Sequence, residues 1–356
     1  MHTPFSQSVQ DVDAWVNRMA LNALQDATPG QMRHHVAQIV ATIVNEGLGM
    51  PDPGPPPTAI AKAAGELREE GYTRLDPLLT TDQINEVVSY FSARPCFNAH
   101  VWSKSDKVPR QLGFGAEGHH YGCYPLVDVL EAPHLLELAN HPNILALAQS
   151  YLGCVPTLYS MNCWWTFPGL GRAPASQEFH RDRDDFKFCT LFIYLTDVGP
   201  ENSPHLFIRR THRVDFLRDR LAKAADRLRT KGANIDLESD SSELNQTLGY
   251  LYRTEADHGH DTLYNGLFGD LVDTIVGPAG TAFIADTNAL HKGVPATKGR
   301  RLMAWARYGL YRNSIVPLDE IEPIARSRVA GRLQDDSLSR YINRCLIEAN
   351  SVGLQR

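Results

Sequence analysis

Apolar positions along the chain change period near residue 157, dividing the sequence into a helical first part and a strand-rich second part. Val12, Trp15, Val16 and Met19, and then Val36, Ile39, Val40 and Ile43, recur at helical spacing. They predict a helical N-terminal extension, either a flap on the core or an element through which two copies dimerise. Met50 to Thr58 reads MPDPGPPPT, a proline density that no helix or central strand tolerates, so it predicts a semi-rigid linker closing a segment 1–57. Beyond it, Tyr72–Leu75 predicts a short strand. Thr81 opens a helix with Val87, Val88 and Phe91 on one side, and a second helix is expected from about Pro133 to Tyr151. From Thr157 onward the runs LYSMNCWWTF, FKFCTLFIYLTDV, HLFIRR, TAFIADT and RLMAWARYGLY are aromatic and β-branched, bounded by Gly, Pro, Asn and Asp. A charged helical insertion at 212–240 interrupts them, and residues 316–356 read as a helical tail behind a main domain at 58–315. The fold class this predicts is α+β, with an antiparallel sandwich or barrel and flanking helices.

Composition narrows the function classes. A net charge of −6 argues against a nucleic-acid or anionic-membrane partner. No run approaches the roughly 18 apolar residues of a membrane span. The N-terminus shows neither the basic nor the apolar region of a signal peptide, and the six cysteines form no C-x-x-C pair. A cytoplasmic protein with reduced thiols is the expectation.

Several apparent motifs carry little. Gly113-x-Gly115-x-x-Gly118 matches a dinucleotide fingerprint in letters but lacks its strand and helix. His119-His120 and His258-x-His260 offer imidazoles to a metal, but the latter sits in EADHGHDT, a polar stretch better read as a solvated loop. The stronger constellation is Phe179-His180-Arg181-Asp182 with His291 downstream. In a strand His180 and Asp182 would share one face. Two imidazoles and one carboxylate then form a three-point face on a metal, the arrangement of non-haem Fe(II) oxygenases.

EGYTRLDPLLT, FHRD, YLTDVGPENSP with its THR corner, and HKGVPATKGRR together resemble the phytanoyl-CoA dioxygenase-like Fe(II)/2-oxoglutarate oxygenases, over roughly residues 66–312. The resemblance implies a double-stranded β-helix (jelly roll) with flanking helices. It implies His180, Asp182 and His291 as ligands of Fe(II), and Arg301 as the partner of the far carboxylate of 2-oxoglutarate. It implies a dioxygenase that hydroxylates a small molecule with O2 while 2-oxoglutarate becomes succinate and CO2. Related halogenases have a small residue where this chain has Asp182, so a carboxylate here favours hydroxylation. The chain departs from the family at the corner Arg209-Arg210-Thr211-His212, where a Gly-Ser pair is common. Two rival readings stand beside this one: a β-sandwich that binds without turnover, and a Zn or Mn isomerase or hydrolase on a cupin-like barrel. Arg301 separates the latter, which has no need of a cation there. Of the adjacent Arg300 and Arg301, strand alternation admits only one to the interior, with Met303 and Trp305 sharing the face of Arg301. Asn162, Trp164, Trp165, Arg181 and Asp184 are candidate neighbours whose orientation the sequence leaves open.

Overall fold

A computed structural model describes residues 30–50, 55–98, 111–112, 119–169, 177, 179–182, 184–213, 215–217, 219–220, 268–310 and 323–348. The glycine fingerprint at 113–118, the pair His258/His260, the first predicted helix stripe (12–19) and most of the insertion at 212–240 lie outside these residues.

Helix α1 (Gly30–Gly47) lays Ala37, Val40, Ala41 and Val44 on the core, while Ile39 faces outward. Its Arg33 reaches the backbone carbonyls of Asp185 and Phe186, and Asn45 bonds Gly153 and Val155. Helix α2 (Thr58–Glu70) ends at Gly71, whose φ of 88° belongs to the left-handed region. A Cβ there would meet His212 Nδ1 at 2.8 Å, so both the backbone and the space require glycine. Strand β1 (Tyr72–Leu75) follows, then α3 (Thr81–Ser92). The cap of α3 is Thr80 rather than Thr81: its hydroxyl accepts from the Gln83 N–H, and the Gln83 side chain accepts from the Thr80 N–H.

Three short strands come next: β2 (Cys96–Phe97), β3 (Gln111–Leu112) and β4 (Tyr121–Cys123). The helical stretch after them is three helices, α4 (Leu126–Glu131), α5 (Leu135–Ala139) and α6 (Pro142–Leu152), not one long helix from Pro133. Pro142 forces the break, because it pushes His141 to an extended ψ of 132° and occupies the first turn of α6.

The strand-rich part comprises β5 (Thr157–Thr166), β6 (Phe188–Tyr194), β7 (His205–Ile208), β8 (Val272–Ile275), β9 (Ala282–Ala285), β10 (His291–Gly293) and β11 (Arg301–Gly309). Helix α7 (Ser337–Asn343) docks Tyr341 and Ile342 on the core. The strands form two antiparallel sheets, one ordered β1-β9-β6-β11-β5-β4-β2-β3 and a smaller one ordered β10-β7-β8. Side chains alternate across the large sheet. Leu191, Ile193, Ile284, Leu302, Ala304 and Trp165 meet the helices, whereas Phe192, Tyr194, Phe283, Met303 and Trp305 meet Phe207 and Ile275 of the small sheet. Helices, large sheet and small sheet are therefore three layers, with a second apolar interior between the sheets. No helix among the described residues is long and apolar enough to cross a membrane.

Candidate metal centre

His180 and Asp182 do not lie in a regular strand. The segment is extended but makes one isolated bridge, in which the N–H groups of His180 and His291 each donate to the other's carbonyl at 3.0 Å. The Asp182 N–H donates to the Thr287 carbonyl at 2.8 Å, and the Asn288 side-chain amide donates to the Asp182 carbonyl at 2.9 Å. Arg181 turns away from the site, donating to the Asn288 backbone carbonyl and side-chain oxygen, both at 2.6 Å. The turn at 286–290 thus acts as a template for the H-x-D segment. It is held by Tyr151, whose hydroxyl donates to Asp286 at 2.5 Å, and by the Asp286 carboxylate, which accepts from the Asn288 N–H at 2.9 Å. The unusual corner contributes as well. Thr211 donates to the Ile208 carbonyl at 2.7 Å and accepts from the Leu290 N–H at 2.8 Å, immediately before His291. Arg210 sits at φ 69°, a left-handed conformation in which a glycine would be unstrained, and its guanidinium grips Glu70 at 2.6 Å.

The result is a tight cluster. One ligand-capable atom each from His180, Asp182 and His291 lies within 4.8 Å of the others. His180 Nε2 is 3.7 Å from Asp182 Oδ1, and His291 Nε2 is 3.8 Å from Asp182 Oδ2. The Nδ1 of His291 is 2.9 Å from the Ala289 carbonyl, which can only accept. That bond fixes the proton on Nδ1 and leaves the Nε2 lone pair free toward the cluster. Burial, reinforced by the nearby His180, lowers His291 to about 4 despite the pull of Asp182, so its imidazole is neutral at neutral pH. For Asp182, burial works upward, but Arg307, His291 and His180, with a hydrogen bond from Thr287, hold it below the usual carboxylate range. A neutral imidazole and an ionised carboxylate are the protonation states that metal ligation requires.

Arg301 enters the interior from the first position of β11, and alternation carries Met303 and Trp305 on the same face. It is 2% exposed. Nη1 donates to the Ser203 carbonyl and lies 3.4 Å from His205 Nδ1, and Nη2 donates to the Thr166 hydroxyl at 3.2 Å. Nε has no partner, and no carboxylate pairs with this cation among the described residues. Burial, then the nearby Arg301 charge, hold His205 well below the ordinary histidine value, so it brings no charge either. Phe192, Phe283 and Tyr194 surround the pair. Arg300, outside the strand, rests over the Trp165 ring at 4.9 Å.

The register with β5 resolves the open neighbours. Trp164 and Asn162 pair with Met303 and Trp305 and share their inner face, while Cys163 and Trp165 face the helices. Trp164 packs edge-on against Trp305 with ring centroids 4.0 Å apart. Asp184 is buried, joined to Arg307 and to the Tyr159 hydroxyl. Sequence reasoning missed Arg307, His205, Thr166 and Ser203. Only Arg307 had a readable signal, since strand alternation from Arg301 leads to it.

Compared with family models, the chain finds no match, and none is found among curated proteins. Solved structures do resemble it. SnoN, a non-heme α-ketoglutarate-dependent epimerase from nogalamycin biosynthesis, is 16% identical over 71% of this chain and 84% of its own, with a TM-score of 0.45. HygX from Streptomyces hygroscopicus with nickel and 2-oxoglutarate bound is 13% identical over 70% of this chain and 86% of its own, with a TM-score of 0.40. AviO1 from Streptomyces viridochromogenes Tue57 is 13% identical over 72% of this chain and 96% of its own, with a TM-score of 0.39.

Proposed function

We propose that the protein is an Fe(II)/2-oxoglutarate-dependent dioxygenase that hydroxylates a small molecule. The two sheets are then the halves of a double-stranded β-helix. The observation that carries this reading is a combination: a two-imidazole, one-carboxylate cluster that includes His291 of the small sheet, and on the large sheet a buried guanidinium without an acidic partner among the described residues. The donor set fits Fe(II), since His180, Asp182 and His291 occupy one face and leave the opposite face to other ligands. Arg301 fits the distal carboxylate of 2-oxoglutarate. A buried cation costs several kcal/mol unless a counter-charge meets it, and a carboxylate does so with parallel charge-assisted hydrogen bonds.

When bound, Fe(II) with 2-oxoglutarate and O2 supplies oxidation of a substrate C–H bond with release of succinate and CO2. The chain's own residues bind and orient. His291 holds its Nδ1 proton on Ala289 and presents Nε2, Thr287 and Arg307 keep Asp182 ionised, and Arg301 with Thr166 fixes the cosubstrate's far end. Trp164, Trp305 and Phe192 belong to the apolar cluster between the sheets and would keep water from the site.

The test is turnover of 2-oxoglutarate. Purified protein with Fe(II), ascorbate and a panel of candidate substrates is expected to release succinate above the protein-free background, and a His180→Ala, Asp182→Ala double variant is not. Equal succinate in the two proteins would refute the assignment.

A further inference from the structure

Strand β11 brings a second arginine to the inner face. Arg307 lies three alternations beyond Arg301 and, unlike it, is only half-buried, its side chain 15% exposed. Its guanidinium bridges two carboxylates: Nη2 donates to Asp182 Oδ2 at 2.9 Å and Nη1 donates to Asp184 Oδ2. The Tyr159 hydroxyl donates to that same Asp184 oxygen at 3.0 Å, so Asp184 anchors the arginine from behind. Asp184 is 7% exposed, and taking it out of water beside the half-buried Asp182 and Arg307 is a costly way merely to hold a loop on a strand.

The arrangement has a use at the metal end of the site. Asp182 turns one oxygen toward each histidine, Oδ1 toward His180 at 3.7 Å and Oδ2 toward His291 at 3.8 Å. A free carboxylate so placed could offer both oxygens to a metal and would then consume a position that a chelating keto acid needs. Arg307 takes up Oδ2. Asp184 cancels the arginine's charge, so the pair adds no net charge next to a divalent cation.

We propose that Arg307, anchored by Asp184 and Tyr159, is a positioning residue that restricts Asp182 to one-oxygen ligation and so keeps the cosubstrate's place open. This rests on the metal-site reading above. Arg307 touches neither cosubstrate nor substrate in this account; it acts only through Asp182.

Co(II) is the probe, because its visible absorption reports coordination number without turnover. The variants are Arg307→Gln/Asp184→Asn, which removes both charges and leaves their sum unchanged, and Arg307→Lys, which keeps the charge but not the planar fork. The double variant is expected to take up Co(II) with a visible spectrum distinct from wild type. Its Co(II)-loaded form should bind 2-oxoglutarate about 10–100-fold more weakly, the usual scale for partners that orient a ligand. Arg307→Lys should fall between the two in both readouts. A wild-type spectrum and wild-type 2-oxoglutarate affinity in the double variant, with or without a lower melting temperature, would overturn the inference and leave the metal site standing. Should the double variant not fold, Arg307→Lys decides by the same readouts. Wild-type protein that takes up no Co(II) would overturn this inference and the proposed function together.

Discussion

Arg301→Met separates a cation kept for a ligand from one kept for the fold. Arg301 is almost fully buried, its hydrogen-bonding partners are the Ser203 carbonyl, the Thr166 hydroxyl and a neutral His205, and Nε has none among the described residues. Replacing it with methionine forfeits three hydrogen bonds at about 1 kcal/mol each, but relieves a desolvation penalty of several kcal/mol. The two nearly cancel, so stability should stay within about 1 kcal/mol of wild type by urea titration. Cosubstrate binding should behave otherwise. Breaking a buried guanidinium–carboxylate pair costs about 2–4 kcal/mol, which is about 30- to 1000-fold in the 2-oxoglutarate Kd. Arg300→Ala, removing a half-buried cation that rests over Trp165, should change that Kd by under about 0.5 kcal/mol. The assay is calorimetric titration of 2-oxoglutarate into metal-loaded wild type and both variants, beside urea unfolding of the metal-free proteins. Arg301→Met that unfolds several kcal/mol more easily but binds 2-oxoglutarate normally would refute the reasoning, since the cation would then serve the fold.

Thr211→Val leaves the buried Leu290 N–H without its acceptor next to His291, and should cost about 1–3 kcal/mol of stability by urea unfolding and weaken Fe(II) uptake by equilibrium dialysis. A stability loss under about 0.5 kcal/mol would show that the corner does not tie β10 in place. The pH dependence follows from His205: its folded-state value lies well below 6.5, so as pH falls through 6.5 the unfolded chain takes up a proton that the folded one refuses, and stability is lost on the acid side and fully present above. His205→Gln should therefore flatten the stability–pH slope between pH 6 and 5 by up to about 1.4 kcal/mol per pH unit, and an unchanged slope would argue against a buried neutral imidazole.

The long strands were legible because β5, β6 and β11 are seven to ten residues rich in aromatic and aliphatic side chains on both faces, as strands covered on both faces are. The strands β2, β3 and β4 were not, since two or three residues are too few to show a period. The break at Pro142 was visible in the sequence but was overridden by the apolar pattern on either side of it. His180, Asp182 and His291 stood out by residue type, yet the segment carrying the first two is shaped by the 286–290 turn rather than by a strand, a long-range constraint no local pattern encodes. Asp184 belongs to Asp182-Arg183-Asp184-Asp185, which reads as a solvated acidic loop. Its burial depends on Arg307 and Tyr159, more than a hundred and about twenty-five residues away in the chain respectively. His205 and Ser203 became visible only when the β7 end met the start of β11.

The most direct measurement is an anaerobic titration of 2-oxoglutarate into Fe(II)-loaded wild-type protein, followed by visible absorption. A weak metal-to-ligand charge-transfer band should grow to saturation at one equivalent per chain, and should be lost in His180→Ala/Asp182→Ala and much weakened at equal cosubstrate in Arg301→Met. Iron that binds without any band on adding 2-oxoglutarate, or a band that persists in the His180/Asp182 double variant, would contradict the account.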